Sequence, residues 1–219
     1  MSKVVVFGTG SFAQVVHFYL TNDSEHEVVA FTVHESQLTQ TELLGLPVVP
    51  FESLEKDYSP EAFKMYVAVG YKNLNRVRAA VYTEAKNKGY QLVSYISSKC
   101  TYWGNPDMGD NCFIFEDNTI QPFVKIGNDV IMWSGNHIGH HATIGDHCFI
   151  TSHVVISGHV EVGSHCFIGV NATTRDSITI GESCLIGAGA LIMKSTKDKE
   201  VYIAKRTYPD NRTSDEIGI

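Results

Sequence analysis

The sequence lacks the features of membrane, secreted and nucleic-acid-binding proteins. Its 219 residues contain no apolar run of membrane-spanning length and no N-terminal signal segment, so we expect a cytoplasmic protein with no membrane partner. Positive charge is in the minority, because 17 Lys and Arg stand against 24 Asp and Glu, and the net charge of −7 argues against a nucleic-acid partner. Five cysteines in a cytoplasmic chain are expected to stay reduced.

What the sequence does contain is a six-residue repeat over residues 108–197. Fifteen positions at steps of six are aliphatic or Met, with Thr174 as the one exception, and Gly directly follows eight of them. A period of six belongs to no α-helix and is typical of a solenoid in which three short strands close one coil. We therefore expect fifteen buried anchors in fifteen short strands, and no helix in this interval. The anchors are Met108, Ile114, Ile120, Ile126, Met132, Ile138, Ile144, Ile150, Ile156, Val162, Ile168, Thr174, Ile180, Ile186 and Ile192.

Four cysteines follow the eighteen-residue period of such coils. Cys148, Cys166 and Cys184 are eighteen residues apart, and Cys112 lies thirty-six before Cys148. They occupy the fifth position of their hexapeptides, where a second inward side chain must be small. Because a free Cys packs as a small hydrophobe, we expect a stacked ladder inside one face of the solenoid, and a metal or disulfide role is the alternative.

The first part of the chain has a different pattern. An apolar run is followed by a glycine turn and an amphipathic segment, and further apolar runs alternate with a second helical segment. This alternation predicts a small parallel α/β domain with its ligand edge at the carboxyl ends of the strands. We place that domain at residues 1–97 and the solenoid domain with its tail at 98–219. The apolar runs are 3–7, 28–33, 47–49, 65–69 and 91–96, and the helical segments are 11–20 and 73–88.

The glycine turn Gly8-Thr9-Gly10-Ser11 has three interpretations. Its amide groups at a helix N-terminus suit any phosphate, so it predicts a nucleotide or pyrophosphate ligand. NAD is a second possible ligand, because its binding uses an acidic residue at the end of the second strand, and Glu35 follows the second apolar run. Too little chain remains, however, for a separate dehydrogenase domain. In the third interpretation the glycines form only a tight turn.

The segments Phe7-Gly8-Thr9-Gly10 and Val69-Gly70-Tyr71, joined to a hexapeptide repeat, resemble the sialic acid and bacillosamine acetyltransferase family of nucleotide-sugar acyltransferases. The resemblance covers nearly the whole chain. It implies an α/β Rossmann-like N-terminal domain and an all-β C-terminal left-handed parallel β-helix. It also implies a homotrimer, an acyl-CoA donor (acetyl-CoA is favoured) between neighbouring prisms, a nucleotide-linked sugar held by the N-terminal domain, and no metal.

This resemblance implies an enzyme that acylates an amino group of a nucleotide-linked amino deoxy sugar by direct attack. The product would serve cell-surface glycan biosynthesis, such as that of lipopolysaccharide or capsule. The nucleotide, the sugar and the length of the acyl chain stay open.

His140 is the candidate catalytic base. The family's catalytic histidine lies two residues after an aliphatic anchor, and only His140 fits, in Ile138-Gly139-His140-His141. The family has an acidic residue after that histidine, whereas this chain has His141, which becomes the candidate orienting partner. The family often has Asn seven positions earlier, where Trp133 suggests an altered acyl or sugar pocket. Five histidines at the fourth position of their hexapeptides should point outward: His141, His147, His153, His159 and His165.

The binding residues divide into two sets. The family's donor contacts carry over to Gly158, Val170 and Ala188, and basic residues near the end of the repeat are candidates for the CoA phosphates, unless they are only a solvated basic end. The acceptor set follows the ends of the predicted strands. The basic candidates are Lys194, Lys197, Lys205 and Arg206. The acceptor candidates are Gly8, Gly10, Ser11, His34, Tyr71, Asn73, Arg76 and Trp133.

Three other functions are alternatives. One is a sugar O-acetyltransferase of the sialic-acid type. Another is a zinc-dependent enzyme like the γ-carbonic anhydrases, which needs three converging histidines with one pair five residues apart. No two histidines between 137 and 165 have that spacing. The last is a non-catalytic scaffold, which absence of CoA binding would favour.

Overall fold

The computed structural model describes residues 2–104, 106–205 and 207–217. The chain begins with an α/β domain whose sheet has the order β3-β4-β2-β1-β5, parallel throughout except for β3 against β4. The short β3 was not predicted, because it arises from a tight turn at Leu44-Gly45, where both residues have positive φ. The elements are β1 (Ser2–Phe7), α1 (Ser11–Asn22), β2 (His26–Val33), a 3₁₀ turn (Glu35–Gln37), β3 (Glu42–Leu43), β4 (Leu46–Pro50), a second 3₁₀ turn (Phe51–Lys56), β5 (Lys64–Val67) and α2 (Arg76–Asn87).

The central strand β1 explains the layering of this domain. Alternate residues of a strand face opposite sides of the sheet, and both sides of β1 are buried. Val4 and Val6 share a core with α1, whereas Val5 and Phe7 share a second core with α2. An apolar run that is buried on both faces is typical of a parallel strand between two helices, as the sequence predicted.

The rest of the chain is the left-handed parallel β-helix that the resemblance implied, ending in a short helix. Its strands are only two residues long, and strands eighteen residues apart pair in parallel, as Ile120 does with Ile138. The strands are β6 (Tyr95–Ile96), β7 (Thr101–Tyr102), β8 (Asp107–Met108), β9 (Phe113–Ile114), β10 (Thr119–Ile120), β11 (Lys125–Ile126), β12 (Ile131–Met132), β13 (His137–Ile138), β14 (Thr143–Ile144), β15 (Phe149–Ile150), β16 (Val155–Ile156), β17 (Glu161–Val162), β18 (Phe167–Ile168), β19 (Thr173–Thr174), β20 (Thr179–Ile180), β21 (Leu185–Ile186), β22 (Leu191–Ile192) and β23 (Val201–Tyr202), before α3 (Ser214–Ile217).

The strands make three faces of a triangular prism. Face 1 contains β6, β9, β12, β15, β18, β21 and β23; face 2 contains β7, β10, β13, β16, β19 and β22; face 3 contains β8, β11, β14, β17 and β20. The prediction of fifteen strands is confirmed, because β8 to β22 each end at one anchor and no residue between 108 and 197 is helical. Fourteen anchors are buried, whereas Met108 is half-buried and packs against the core from the first predicted coil.

The glycines after the anchors are required by the stacking of the coils. A Cβ added at Gly139 would lie 2.5 Å from the backbone N of Gly158, and one added at Gly169 would lie 2.5 Å from the N of Ala188. Neither neighbour can yield, because both contacts are to the backbone of the next coil. Glycine therefore follows the aliphatic anchor because successive coils are too close to leave room for a side chain at that position.

The cysteine ladder is confirmed. Cys112, Cys148, Cys166 and Cys184 are fully buried, are free thiols and all precede strands of face 1. Their Sγ atoms lie 3.1–3.2 Å from backbone carbonyl oxygens across the prism. Burial raises the pKa of Cys112 to about 12 and that of the half-buried Cys100 to about 11.

We expect the native protein to expose at most one thiol to a chromogenic disulfide reagent. Only Cys100 has accessible surface, and thiolate is the reactive form, so the four buried thiols should react only after unfolding. Absorbance should report at most one equivalent per chain in buffer and five in denaturant. Rapid reaction of several thiols in the folded protein would contradict the buried ladder.

The α/β domain packs on face 1. The aromatic rings of Tyr19 and Tyr66 contact Phe113, and Tyr71 contacts Phe149 and Phe167. The linking segment 91–96, predicted as one strand, is shared between the two units: Leu92 bridges Met65 of the sheet, whereas Tyr95–Ile96 begins face 1. None of the described helices combines the length and the apolar character needed to cross a bilayer.

Candidate active site

His140 lies on the edge of the prism where face 2 turns into face 3. The buried anchor Ile138 ends β13, the tightly stacked Gly139 follows it, and the next side chain, that of His140, is exposed. Its backbone N–H donates to Oε1 of Gln121 at 2.8 Å. The rigid coil therefore presents an imidazole to solvent from a fixed position.

The neighbouring rings define the orientation of His140. Its Nδ1 lies 3.1 Å from Nδ1 of His141, and its ring meets that of His159 edge-on at 5.0 Å. His141 itself is stacked between Phe123 and His159, at 4.7 and 4.8 Å between ring centroids. The structure thus brings the candidate base together with its candidate orienting partner.

The five outward histidines at the fourth position share an unusual backbone. Each has φ between +56° and +61°, in the left-handed region that non-glycine residues seldom adopt. These residues form the corners of the coils. Two pairs stack across successive coils as the spacing predicted, His141 with His159 and His147 with His165, each at 4.8 Å.

The donor candidates lie on two edges of face 2. Gly158 directly adjoins His140, because a Cβ added there would lie 3.0 Å from Nε2 of His140. Lys194 is two coils beyond Gly158 on the same edge, about 14 Å from His140 at about 4.8 Å per coil. Val170 and Ala188 lie one coil apart on the other edge, between faces 1 and 2.

The remaining basic candidates are not gathered with Lys194. Lys197 lies at the edge between faces 3 and 1, where its carbonyl accepts from Sγ of Cys184. Lys205 is exposed after β23, and Arg206 lies outside the described residues.

The glycine turn of the α/β domain leads from β1 into α1. Gly8 has φ of +123°, and a Cβ there would lie 2.8 Å from the carbonyl oxygen of Ala68, so only glycine fits. Gly10 precedes α1 in an extended conformation, has no side chain capping the helix, and has open space where a Cβ would be. The first amides of α1, from Ser11 onward, are thus left for an anion.

Three acceptor candidates line one cleft of about 460 Å³ at the carboxyl edge of the sheet: His34, Asn73 and Arg76. Nδ1 of His34 lies 3.1 Å from Glu52, and its Nε2 lies 3.5 Å from Glu84. Burial alone would raise the pKa of Glu52, but the backbone N–H of Glu35 and the His34 ring hold it below its ordinary value. Both ring nitrogens of His34 therefore face carboxylates.

The other two acceptor candidates belong to the interface between the domains. Tyr71 lies against Phe149 and Phe167 of face 1 and remains 58% exposed. Trp133 stacks on Phe115 at 4.5 Å and contacts Phe12, the second residue of α1. Trp133 therefore lies beside the start of α1 and on a different edge from His140.

Sequence analysis missed several residues of these sites. Gln121 contacts the backbone of His140, and with Phe123 it lines a cleft of about 410 Å³ beside that edge. In the α/β domain, Gln37, Lys72 and Glu84 line the cleft around His34. The period of eighteen could have found Phe123, which is one coil before His141, whereas no pattern pointed to the others.

The sequence matches two family models. One describes the PglD N-terminal domain and matches residues 3–85, and the other describes the hexapeptide repeat of succinyl-transferase and matches residues 159–194. No curated protein matches the sequence significantly.

Solved structures resemble the whole chain. PerB from Caulobacter crescentus, in complex with CoA and GDP-perosamine, is 25% identical over 92% of this chain and 93% of its own, with a TM-score of 0.79. The chain is an acyltransferase with a PglD-type N-terminal domain and a hexapeptide repeat. The fold of this acyltransferase is also that of the acetyltransferase domain of PglB from Neisseria gonorrhoeae FA1090 (24% identity, 91% and 94% coverage, TM-score 0.79) and of WeeI from Acinetobacter baumannii AYE (19%, 92% and 96%, 0.75).

Proposed function

We propose that this acyltransferase transfers an acyl group, acetyl in the first instance, from acyl-CoA to an amino group of a nucleotide-linked amino deoxy sugar. The observation that carries the proposal is the placement of His140, an exposed imidazole beside Gly158 with its Nδ1 against His141. Two relatives support the ligands, because PerB was solved with CoA and GDP-perosamine and the PglB domain with acetyl coenzyme A.

The proposed chemistry is a direct attack. The sugar amine attacks the thioester carbonyl carbon while its proton passes to Nε2 of His140, and the C–S bond breaks as CoA leaves and recovers that proton. If Nδ1–H of His140 donates to Nδ1 of His141, the lone pair stays on Nε2, so His141 acts as a positioning residue. A backbone N–H near Gly158, which adjoins His140 on the same prism, stabilises the oxyanion.

The two substrates are proposed to approach His140 from opposite directions along its edge. CoA runs past Gly158 towards Lys194, and the roughly 14 Å of prism between His140 and Lys194 leaves room for the pantetheine arm. The amino sugar enters on the other side, at the cleft lined by Gln121 and Phe123.

The acceptor held by one subunit is proposed to reach His140 of another. Arg76, in the nucleotide cleft, donates to Ser183 at the edge between faces 3 and 1 at 3.1 Å. The full width of face 3 separates that edge from His140 on the same chain. In a homotrimer of prisms, the α/β domain of one subunit can bring its nucleotide sugar to His140 of a neighbouring subunit. The product is proposed to enter cell-surface glycan synthesis in the cytoplasm.

Gly10→Val is expected to weaken binding of the nucleotide sugar by roughly ten- to hundredfold, since hydrogen bonds to a charged phosphate are worth about 1.5–3 kcal/mol each. The backbone at Gly10 is extended and nothing lies within 4 Å of the new Cβ, so the protein should fold normally while the side chain occupies the anion position. Calorimetric titration with a panel of nucleotide amino sugars measures the loss and identifies the acceptor. Hydroxyl acceptors in the same panel test the O-acetyltransferase alternative.

His140→Ala is the control, because it should bind the nucleotide sugar as the wild type does. At low acceptor concentration, mixed trimers of Gly10→Val and His140→Ala subunits should turn over faster than either homotrimer, since each subunit supplies the half-site that is impaired in the other. Unchanged affinity in Gly10→Val would mean that the acceptor site has been placed wrongly.

A further inference from the structure

The edge that carries His140 presents three imidazoles to one point in space. His140, His141 and His159 are all exposed, and one ring nitrogen from each lies within 4.8 Å of the others. His159 is eighteen residues after His141, so the stacking of coils brings it there. A search for histidines five residues apart could not detect this cluster.

The distances match the needs of a transition-metal ion. Two nitrogens that bind one Zn²⁺ at 2.0–2.1 Å in a tetrahedral site are about 3.3 Å apart. The Nδ1 atoms of His140 and His141 are already 3.1 Å apart. The ligand nitrogen of His159, which lies within 4.8 Å of the other two, has to approach them by up to about 1.5 Å, and the exposed ring can rotate to do so.

The three rings stand on a rigid scaffold and have no carboxylate partner among the described residues. In the parts of the chain that the structure describes, no carboxylate pairs with any of them. The scaffold is rigid, since the backbone N–H of His159 donates to the carbonyl of His140 at 3.0 Å and that of His141 to the carbonyl of Pro122 at 3.3 Å. A preorganised set of neutral imidazoles is a suitable ligand set for Zn²⁺.

The second stacked pair, His147 and His165, has surroundings that are unsuitable for a metal ion. Nδ1 of His147 bonds to Asp129 at 2.8 Å, and the guanidinium of Arg78 donates to the carbonyls of His147 and Cys148. A fixed cation beside two half-buried rings opposes a second cation. Among the described residues, no charged side chain bonds to the three rings at the open edge that carries His140.

We propose that His140, His141 and His159 bind one Zn²⁺ per chain and that the ion inhibits the enzyme. This inference rests on the proposed role of His140, because zinc bound to Nδ1 leaves the one ring proton on Nε2, which then has no lone pair to take the proton of the acceptor amine. The ion is an inhibitor and not a cofactor. Binding requires deprotonated imidazoles, so the affinity for zinc falls as the pH is lowered.

Titration with ZnCl₂ against a chromogenic zinc indicator tests the site without any substrate. Wild-type protein should bind one equivalent per chain, and His159→Ala should bind it at least about tenfold more weakly, since even an outer-shell partner of a zinc ligand is worth 10–100-fold in affinity. His153→Ala is the matched control, because His153 is an exposed histidine at the same corner position on another edge. Equal zinc affinity in the wild type and His159→Ala would overturn the proposal.

The activity assay separates this inference from the proposed function. Measured against its own rate without zinc, His159→Ala should require at least about tenfold more Zn²⁺ for half-inhibition than the wild type does. Zinc binding without any acyl transfer would contradict the proposed function and leave the metal site standing. Acyl transfer that zinc inhibits equally in the wild type and His159→Ala would contradict the metal site and leave the proposed function standing.

Discussion

His140→Ala is expected to lower kcat by about 10²–10⁴-fold, which is the usual contribution of a general base. The effect should appear in kcat with little change in the affinity for acyl-CoA, because the proposed donor contacts lie on the coils after His140 and stay in place. Continuous detection of the released CoA thiol measures turnover, and calorimetry measures donor binding. Wild-type turnover in this variant would mean that the acceptor arrives neutral or that another group takes its proton.

Two comparisons make this test specific. His153→Ala removes an exposed histidine of the same kind from another edge and should leave kcat unchanged. His141→Ala should lower kcat less than His140→Ala does, because Nδ1 of His140 loses its partner at 3.1 Å while the base itself remains.

Arg78→Met is expected to destabilise the protein by about 3–5 kcal/mol, because it leaves a buried carboxylate without its counter-ion. Arg78 and Asp129 are both fully buried, and Nε of Arg78 donates to Oδ2 of Asp129 at 3.0 Å. The same guanidinium donates to the carbonyls of Gly70, Asp129, His147 and Cys148, so it connects α2 with the prism. Chemical denaturation of the variant and the wild type measures the difference.

Lys86→Met is the matched control on the same helix. Lys86 pairs with Asp110 in an exposed ion pair, and such pairs are worth about 0–1 kcal/mol. Adding Asp129→Asn to Arg78→Met should recover part of the lost stability, since the uncompensated charge is removed. A loss below about 1 kcal/mol in Arg78→Met would show that the buried pair does not hold the domains together.

The solenoid was determined by the sequence alone. A unit of one short strand and one corner repeats without insertion over ninety positions, so the burial of each anchor follows from its place in the repeat. The eighteen-residue spacing of Cys148, Cys166 and Cys184 likewise places these residues in one ladder. The α/β domain was predictable for the same reason, because β1 is apolar on both faces and the glycine turn follows it. These are local or strictly periodic signals, and they need no knowledge of which segments meet.

Only the tertiary structure decided how the two units meet and what surrounds His140. Arg78 reads from the sequence as an ordinary charged residue of a helix, yet packing against face 1 buries it beside Asp129, fifty-one residues away. Gln121 and His159 reach His140 because successive coils stack at the spacing of paired strands, so that residues nineteen apart in sequence become neighbours. The sequence determined which residue occupies each corner of a coil, and the stacking of the coils determined which of those residues surround His140.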